Sequence, residues 1–290
     1  MLRKLMSLVA VFALLPTVAY AAEGEGLTSA QLQLGVDALW VMLAAILVIA
    51  MQAGFALLEA GSTRMKNAGH VAGKTILTFG VCALAFWALG FGFAFGDGNG
   101  WIGLSGFFPN GTETQAEAFF SSLSFSDIPI TIKFLFQLAF AGVSLAVACG
   151  GFAERAKLSV YILFGAIFTM FIYPVVAHWI WGGGWLAEHG KQDFAGSTVV
   201  HLQGATAALV ATLLLKPRLG KYGPDGKPNL LPGHNQVYSV LGTIILWIGW
   251  FGFNAGSTLT AFNDGFFGFV AFNTNLAAAA GGVAGLLVSR

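Results

Sequence analysis

Long apolar runs separated by short polar segments dominate the chain after residue 34. A membrane-spanning helix needs about 20 predominantly apolar residues, because the hydrocarbon core of a bilayer is about 30 Å thick. Seven runs are long enough to cross, at residues 35–59, 71–96, 129–153, 159–181, 196–215, 236–256 and 265–288. The pattern therefore predicts an all-α membrane protein, a polytopic helical bundle.

The N-terminal residues follow a different pattern. Arg3 and Lys4 precede a short apolar core, and small residues surround Ala21. This layout is typical of a secretory signal peptide, and the core is too short for a comfortable span. We expect a signal peptide at 1–22 and one membrane domain at 23–290. A retained first helix is the alternative.

Charged residues divide between the two sides of the predicted bundle. The loops that follow odd-numbered spans are basic, at Arg64, Lys66, Arg155, Lys157, Lys216, Arg218, Lys221, Lys227 and Arg290. The other loops are mainly acidic, and the positive-inside rule places the basic loops in the cytoplasm. With the signal peptide, this predicts a multi-pass protein of the bacterial inner membrane with an external N-terminus.

Composition supports the membrane prediction and excludes other classes. With 57% hydrophobic and 9% charged residues, the chain is too apolar for a soluble domain. The net charge of +1 gives no reason to expect a nucleic-acid partner. Cys82 and Cys149 fall within apolar runs, which favours buried thiols over a disulfide. We expect no metal and no cofactor.

One ionisable ring, His201, lies inside the apolar run at 196–215. Ionisable groups are costly in hydrocarbon, so the ring suggests a permeation pathway. The residues that share its face on a regular helix are small or short: Gly204, Ala205, Ala208 and Thr212. The opposite face carries Val199, Leu202, Leu209 and Leu213. His201 could therefore project into a narrow lumen, but a core histidine bonded to a neighbouring helix fits this segment equally.

Aromatic and small polar residues cluster in three other spans. Trp181 ends the fourth span, Phe140 lies in the third, and the sixth places Phe253 and Ser257 four residues apart on one face. An interfacial aromatic belt also explains Trp181. Phe140 fits a lipid-facing, core or pore-lining position, and composition does not choose among these.

The stretch DFAGSTVVHLQGATAALVATLLLKPR at 193–218 resembles the signature of the ammonium transporter (Amt/MEP/Rh) family. Further motifs stand around it in the family's order: MQAGFALLEAGSTRMKN (51–67), FQLAFAG and GGFAERAKL (136–158), AHWIWGGGWLAEHG (177–190) and WIGWFGFNAGS (247–257). The resemblance runs from about residue 35 to the end of the chain. It is specific, because separated motifs fall in the correct sequence and topology.

The resemblance implies a role for six residues. An external ammonium site would be formed by Phe140, Trp181 and Ser257, with Phe140 and Phe253 stacked as a gate. His201 would be the first histidine of a lumen pair. Asp193 would order the outer mouth and cap the following helix. The protein would then be no enzyme but a transporter or channel that recruits NH4+ and conducts ammonia, with or without the proton, into the cytoplasm.

The family fold is similar to two inverted five-helix halves plus a final helix, with a second lumen histidine in the tenth span. Seven spans leave the inverted repeat incomplete, so we expect a C-terminally truncated portion of a chain of about eleven spans. The resemblance also implies a homotrimer and a PII-type regulatory protein on the cytoplasmic side. The alternative is an ammonium-sensing domain of a signalling receptor, which binds NH4+ without conducting it. A neutral-solute channel is disfavoured by the aromatic residues and Asp193.

Overall fold

The computed structural model describes residues 26–289. It contains seven helices long and apolar enough to cross a membrane, here called spans 1 to 7: Ser29–Ser62, Met65–Phe95, Ile130–Phe152, Leu158–Glu188, Ser197–Leu215, Gln236–Thr258 and Phe266–Val288. A short helix, Glu113–Phe119, lies between spans 2 and 3. Within these residues the named elements are all helical. The predicted all-α polytopic bundle is confirmed.

By its contacts, the described part of the chain divides into residues 26–32 and 33–289. In the described part of the first unit, Thr28 Oγ1 accepts a hydrogen bond from Gln31 N at 3.2 Å, and Gln31 Oε1 accepts one from Thr28 N at 2.9 Å. This reciprocal pair is a capping box. It starts span 1 at Ser29, before the predicted start at residue 35. The predicted signal peptide lies outside the described residues.

Three spans contain a π-helical turn that the hydrophobic pattern does not reveal. These turns cover Phe86–Gly90 in span 2, Phe168–Ile172 in span 4 and Ser197–Leu202 at the start of span 5. A π turn inserts extra residues and shifts the register of the side chains that follow. The first two turns pack together, because a Cβ on Gly90 would lie 2.4 Å from Thr169 O.

Span 3 lies at the centre of the described bundle. In its most apolar window 67% of residues are buried, against 6% for span 7. Phe136, Phe140 and Val143 of span 3 are at most 4% exposed. Phe136 and Phe140 therefore face other spans rather than lipid.

Spans 1 and 6 approach closely through glycines. A Cβ on Gly252 would lie 2.6 Å from Leu47 Cβ, and one on Gly256 would lie 2.4 Å from Ala44 Cβ. Small residues permit such backbone contact between helices in lipid, where van der Waals packing drives association. The packing fixes the end of span 6, which carries Ser257, against span 1.

The ends of spans 1, 3 and 5 meet at one carboxylate. Glu154, whose side chain is 0% exposed, accepts hydrogen bonds from Arg64 Nε at 2.7 Å, Asn67 Nδ2 at 2.8 Å and Arg218 Nη1 at 2.5 Å. Burial would raise the pKa of Glu154, but these donors outweigh burial and lower it to about 2. The three ends therefore lie on one side of the bundle, as the charge pattern predicts.

The bundle also encloses an ion pair that the sequence analysis does not identify. Lys74 Nζ of span 2 lies 3.1 Å from Glu59 Oε2 of span 1, and the Lys74 side chain is 3% exposed. Lys74 Nζ also donates to Cys149 O at 3.3 Å. Both cysteines are free and buried, which confirms that part of the analysis.

Candidate functional site

A cavity of about 450 Å³ opens at the end of spans 3 and 5 that lies away from Glu154. Four of the predicted site residues line it: Phe140, Trp181, Asp193 and Ser257. The other lining residues are mostly apolar and include Phe95, Phe125, Phe136, Phe194 and Leu259. Side chains that are far apart in sequence therefore share one mouth.

A line of aromatic rings leads from this cavity to His201. The ring of Trp181 meets that of Phe140 edge-on, with centroids 6.0 Å apart. Phe140 stacks on Phe253 at 4.2 Å and 22°. Phe253 in turn meets the His201 ring at 5.4 Å and 74°. Phe140 and Phe253 are 1% and 2% exposed, so the stacked pair stands between the cavity and the histidine.

Trp181 is held in place by a specific bond. Its Nε1 donates to Asp193 O at 2.7 Å. Trp101, by contrast, lies on the same end of the bundle and is 60% exposed. Trp181 lines the cavity, whereas Trp101 does not, and the burial of Phe140 excludes a lipid-facing position for the Phe140 ring.

Asp193 caps the start of span 5 with both carboxylate oxygens. Oδ1 accepts from Gly196 N at 2.7 Å and Ser197 N at 2.8 Å, while Oδ2 accepts from Thr198 N at 2.8 Å and Val199 N at 2.9 Å. Burial raises the pKa of Asp193, but the N–H donors outweigh burial and lower it. The carboxylate of Asp193 therefore fixes the backbone at the start of span 5. The backbone carbonyl of Asp193 fixes the ring of Trp181.

Gly196 connects this cap to His201. Its φ of 104° is a conformation that glycine adopts easily. Its carbonyl accepts from His201 N at 2.9 Å and lies 3.2 Å from His201 Nδ1. Since a carbonyl oxygen only accepts, this contact requires a proton on Nδ1. A neutral His201 then has Nε2 as an acceptor.

The small residues predicted on the face of His201 differ in burial: Ala205 and Thr212 are exposed like His201, but Gly204 is buried. Gly204 is buried against span 3, where an added Cβ would lie 2.5 Å from Ser144 O, whereas His201 is exposed. Val199 is 0% and Leu202 60% exposed, although both were predicted on the opposite face. The π turn at Ser197–Leu202 contains Val199 and Leu202, so regular α-helical spacing does not relate these two residues, whereas the small residues belong to the regular helix Gln203–Leu215 that follows.

Two hydrogen-bonding groups complete the cavity. Ser257 Oγ donates to Phe253 O at 2.7 Å, which uses its proton and leaves its lone pairs as acceptors. Gln137 also lines the cavity, and its buried Oε1 has no partner among the described residues. The sequence analysis missed Gln137. Its position one helical turn before Phe140 was the available signal.

These features define a polytopic helical membrane protein with an aromatic cavity at one end of the bundle and a histidine beneath a ring pair. The chain matches the model of the Ammonium Transporter Family over residues 39–290. Ammonium transporter Amt2 of Archaeoglobus fulgidus is 44% identical, and the match covers 89% of this chain and 54% of that protein. The ammonium transporter of Bacillus subtilis is 36% identical, with 89% and 60% covered.

Solved structures agree. One named "Sensor Amt Protein" has a TM-score of 0.80 at 38% identity, covering 89% of this chain and 62% of that one. Candida albicans Mep2 has a TM-score of 0.76 at 32% identity, covering 88% and 55%. The chain spans about half the length of the curated relatives it matches. It belongs to the ammonium transporter family, whose named relatives are transporters rather than enzymes.

Proposed function

We propose that this chain belongs to a transporter that recruits NH4+ in the outer cavity and conducts ammonia, with or without the proton, past His201. The observation that carries the proposal is the ring line from Trp181 through Phe140 and Phe253 to His201. Aromatic faces attract a cation by about 1 to 2 kcal/mol when the site is partly desolvated. Ser257 adds an acceptor for one N–H of the ion.

The stacked rings also explain why the ion would lose a proton. Phe140 and Phe253 offer no oxygen to replace water around a charge, so a bare cation passes this point at high cost. Neutral ammonia passes at lower cost. It can then donate to Nε2 of a neutral His201. Potassium has similar size and charge but no proton to lose, so the same barrier would exclude it.

Replacing Trp181 tests the recruitment step. In the full-length protein reconstituted in liposomes, Trp181→Leu should weaken methylammonium binding about tenfold, which corresponds to the loss of 1 to 2 kcal/mol of cation–π attraction. Trp101→Leu is the matched control, since this exposed tryptophan lies outside the cavity. Unchanged binding in Trp181→Leu, or an equal loss in both variants, would reject the recruitment site.

Replacing His201 tests the path and separates transport from sensing. His201→Leu keeps the approximate size but removes both ring nitrogens, so ammonium flux should be lost or should lose its selectivity against potassium while the melting temperature holds. The exposed His70→Leu is the control. If His201 is instead a structural residue, His201→Leu should lower the free energy of unfolding by about 1 to 3 kcal/mol and leave the flux per folded molecule normal. Ammonium binding without flux in the unchanged protein would favour the sensor function.

We also propose the assembly that the family resemblance implies, a homotrimer with a PII-type regulatory protein on its cytoplasmic side. The membrane would be the inner membrane of a bacterium, with the N-terminus outside. Native mass measurement of the full-length protein in detergent, with and without a PII-type protein, tests both contacts. A mass that corresponds to a monomer would reject the trimer. An unchanged mass after the PII-type protein is added would reject that partner.

A further inference from the structure

The α-helical part of span 6 ends at Phe253, and the segment that carries Ser257 has a different conformation. Ala255–Thr258 is a 3-10 turn, and the next residue, Leu259, has φ 58° and ψ 5°. This left-handed conformation is unfavourable for a branched side chain such as leucine. Leu259 nevertheless lines the outer cavity beside Ser257. Contacts from elsewhere in the fold must therefore hold this segment.

Those contacts come from the outer part of span 1. Asp37 Oδ1 accepts from Thr260 Oγ1 at 2.8 Å and from Ala261 N at 2.7 Å. Asp37 is only 9% exposed. One turn further along, Trp40 Nε1 donates to Thr258 Oγ1 at 3.3 Å. Two side chains on one face of span 1 thus bind residues on both sides of Leu259.

We propose that Asp37 is a positioning residue for the recruitment site: it binds the segment after Ser257 and so aims the serine hydroxyl and Leu259 at the cavity. This inference rests on the proposed function. Both hydrogen bonds from this segment end on one oxygen, Asp37 Oδ1, so a single buried acceptor holds the left-handed turn against span 1. Asp37 does not line the cavity, so it acts through Ser257 and not on the ion.

The test compares two substitutions in the full-length protein reconstituted in liposomes. Asp37→Asn keeps an acceptor oxygen for Thr260 and Ala261, whereas Asp37→Leu removes it. Asp37→Leu should raise the methylammonium concentration for half-maximal uptake about tenfold, with maximal uptake per folded molecule little changed. Asp37→Asn should stay within about threefold of the unchanged protein, because geometry and not charge is needed.

Asp264→Asn is the control for loss of charge, because Asp264 lies exposed in the same segment and forms no hydrogen bond through its side chain among the described residues. It should leave uptake unchanged. If Asp37→Asn weakens uptake as much as Asp37→Leu, the carboxylate acts by its charge and the positioning role is rejected. A lower melting temperature with an unchanged half-saturation value would also reject it.

Ser257→Ala distinguishes failure of this inference from failure of the recruitment site. If Asp37 acts through Ser257, then Asp37→Leu has little further effect in the Ser257→Ala background. Additive effects of the two changes would overturn the inference and leave the recruitment site standing. An unchanged half-saturation value in Ser257→Ala alone would overturn both, since the serine would then contribute nothing to binding.

Discussion

Removing the charge of Glu154 should destabilise the protein in a pH-dependent way. A fall of its pKa from 4.5 in the unfolded chain to about 2 in the folded protein adds about 3 kcal/mol to the free energy of unfolding at neutral pH. The partners Arg64 and Arg218 are 25% and 27% exposed, and solvent screening reduces the effect. We therefore expect Glu154→Gln, which keeps the side chain's shape, to lower the free energy of unfolding by about 2 kcal/mol.

The stabilising effect of Glu154 should decrease at acid pH. Because the pKa of Glu154 is depressed in the folded protein, its contribution is complete above the unfolded value of 4.5 and is lost as the pH falls toward about 2. Chemical unfolding in detergent, compared between Glu154→Gln and the unchanged protein across this range, measures the contribution. The difference should be constant from neutral pH to about 5 and should shrink below that.

A matched control separates the effect of burying a paired carboxylate from the effect of the ion pair itself. Asp225 and Lys227 form a pair at 3.7 Å in the loop after span 5, with side chains 59% and 84% exposed. Asp225→Asn should change the free energy of unfolding by less than about 0.5 kcal/mol. Equal losses in Asp225→Asn and Glu154→Gln, or a Glu154→Gln difference that persists unchanged at the acid end, would refute the reasoning.

Two further predictions concern topology and the start of span 5. Lys221→Cys should react with a membrane-impermeant thiol reagent only from the cytoplasm and Glu117→Cys only from outside, because basic loops face inward; external labelling at position 221 would overturn the orientation. Gly196→Ala should lower the melting temperature more than Gly190→Ala. Both glycines have positive φ, but only at Gly196 would the new Cβ meet Val200 Cγ2, at 2.6 Å. Equal shifts in the two variants would count against that contact.

The spans were predictable because the bilayer permits few solutions. Backbone groups in hydrocarbon must bond within the chain, so a long apolar run becomes a helix whatever its detailed sequence. That the ends of spans 1, 3 and 5 share one side of the bundle followed from the basic residues Arg64, Arg155 and Arg218. The role of Glu154 did not follow, since hydropathy treats one acidic residue among basic ones as a minor exception. Its position at the junction of three helix ends becomes visible only when those ends are brought together.

The sequence could indicate which residues share the cavity but not how their side chains are arranged in it. Family motifs singled out Phe140, Trp181 and Ser257, and the fold brings them to one cavity. Gln137 was missed because a glutamine beside a phenylalanine has no distinctive pattern until its oxygen is seen buried without a partner. Asp37 was missed for a related reason: its partners Thr260 and Ala261 are far along the chain, and only tertiary structure joins them.

The π turn at Ser197–Leu202 changes the spacing up to His201, so the positions of Val199 and Leu202 do not follow from counting along a regular α-helix. The same turn begins where Asp193 binds four consecutive backbone N–H groups, from Gly196 to Val199. Because one carboxylate fixes that turn and the Gly196 carbonyl receives His201 Nδ1, the aspartate sets the register of the histidine against Phe253. Asp193 thereby influences the position of the His201 ring against Phe253 through the backbone of this turn.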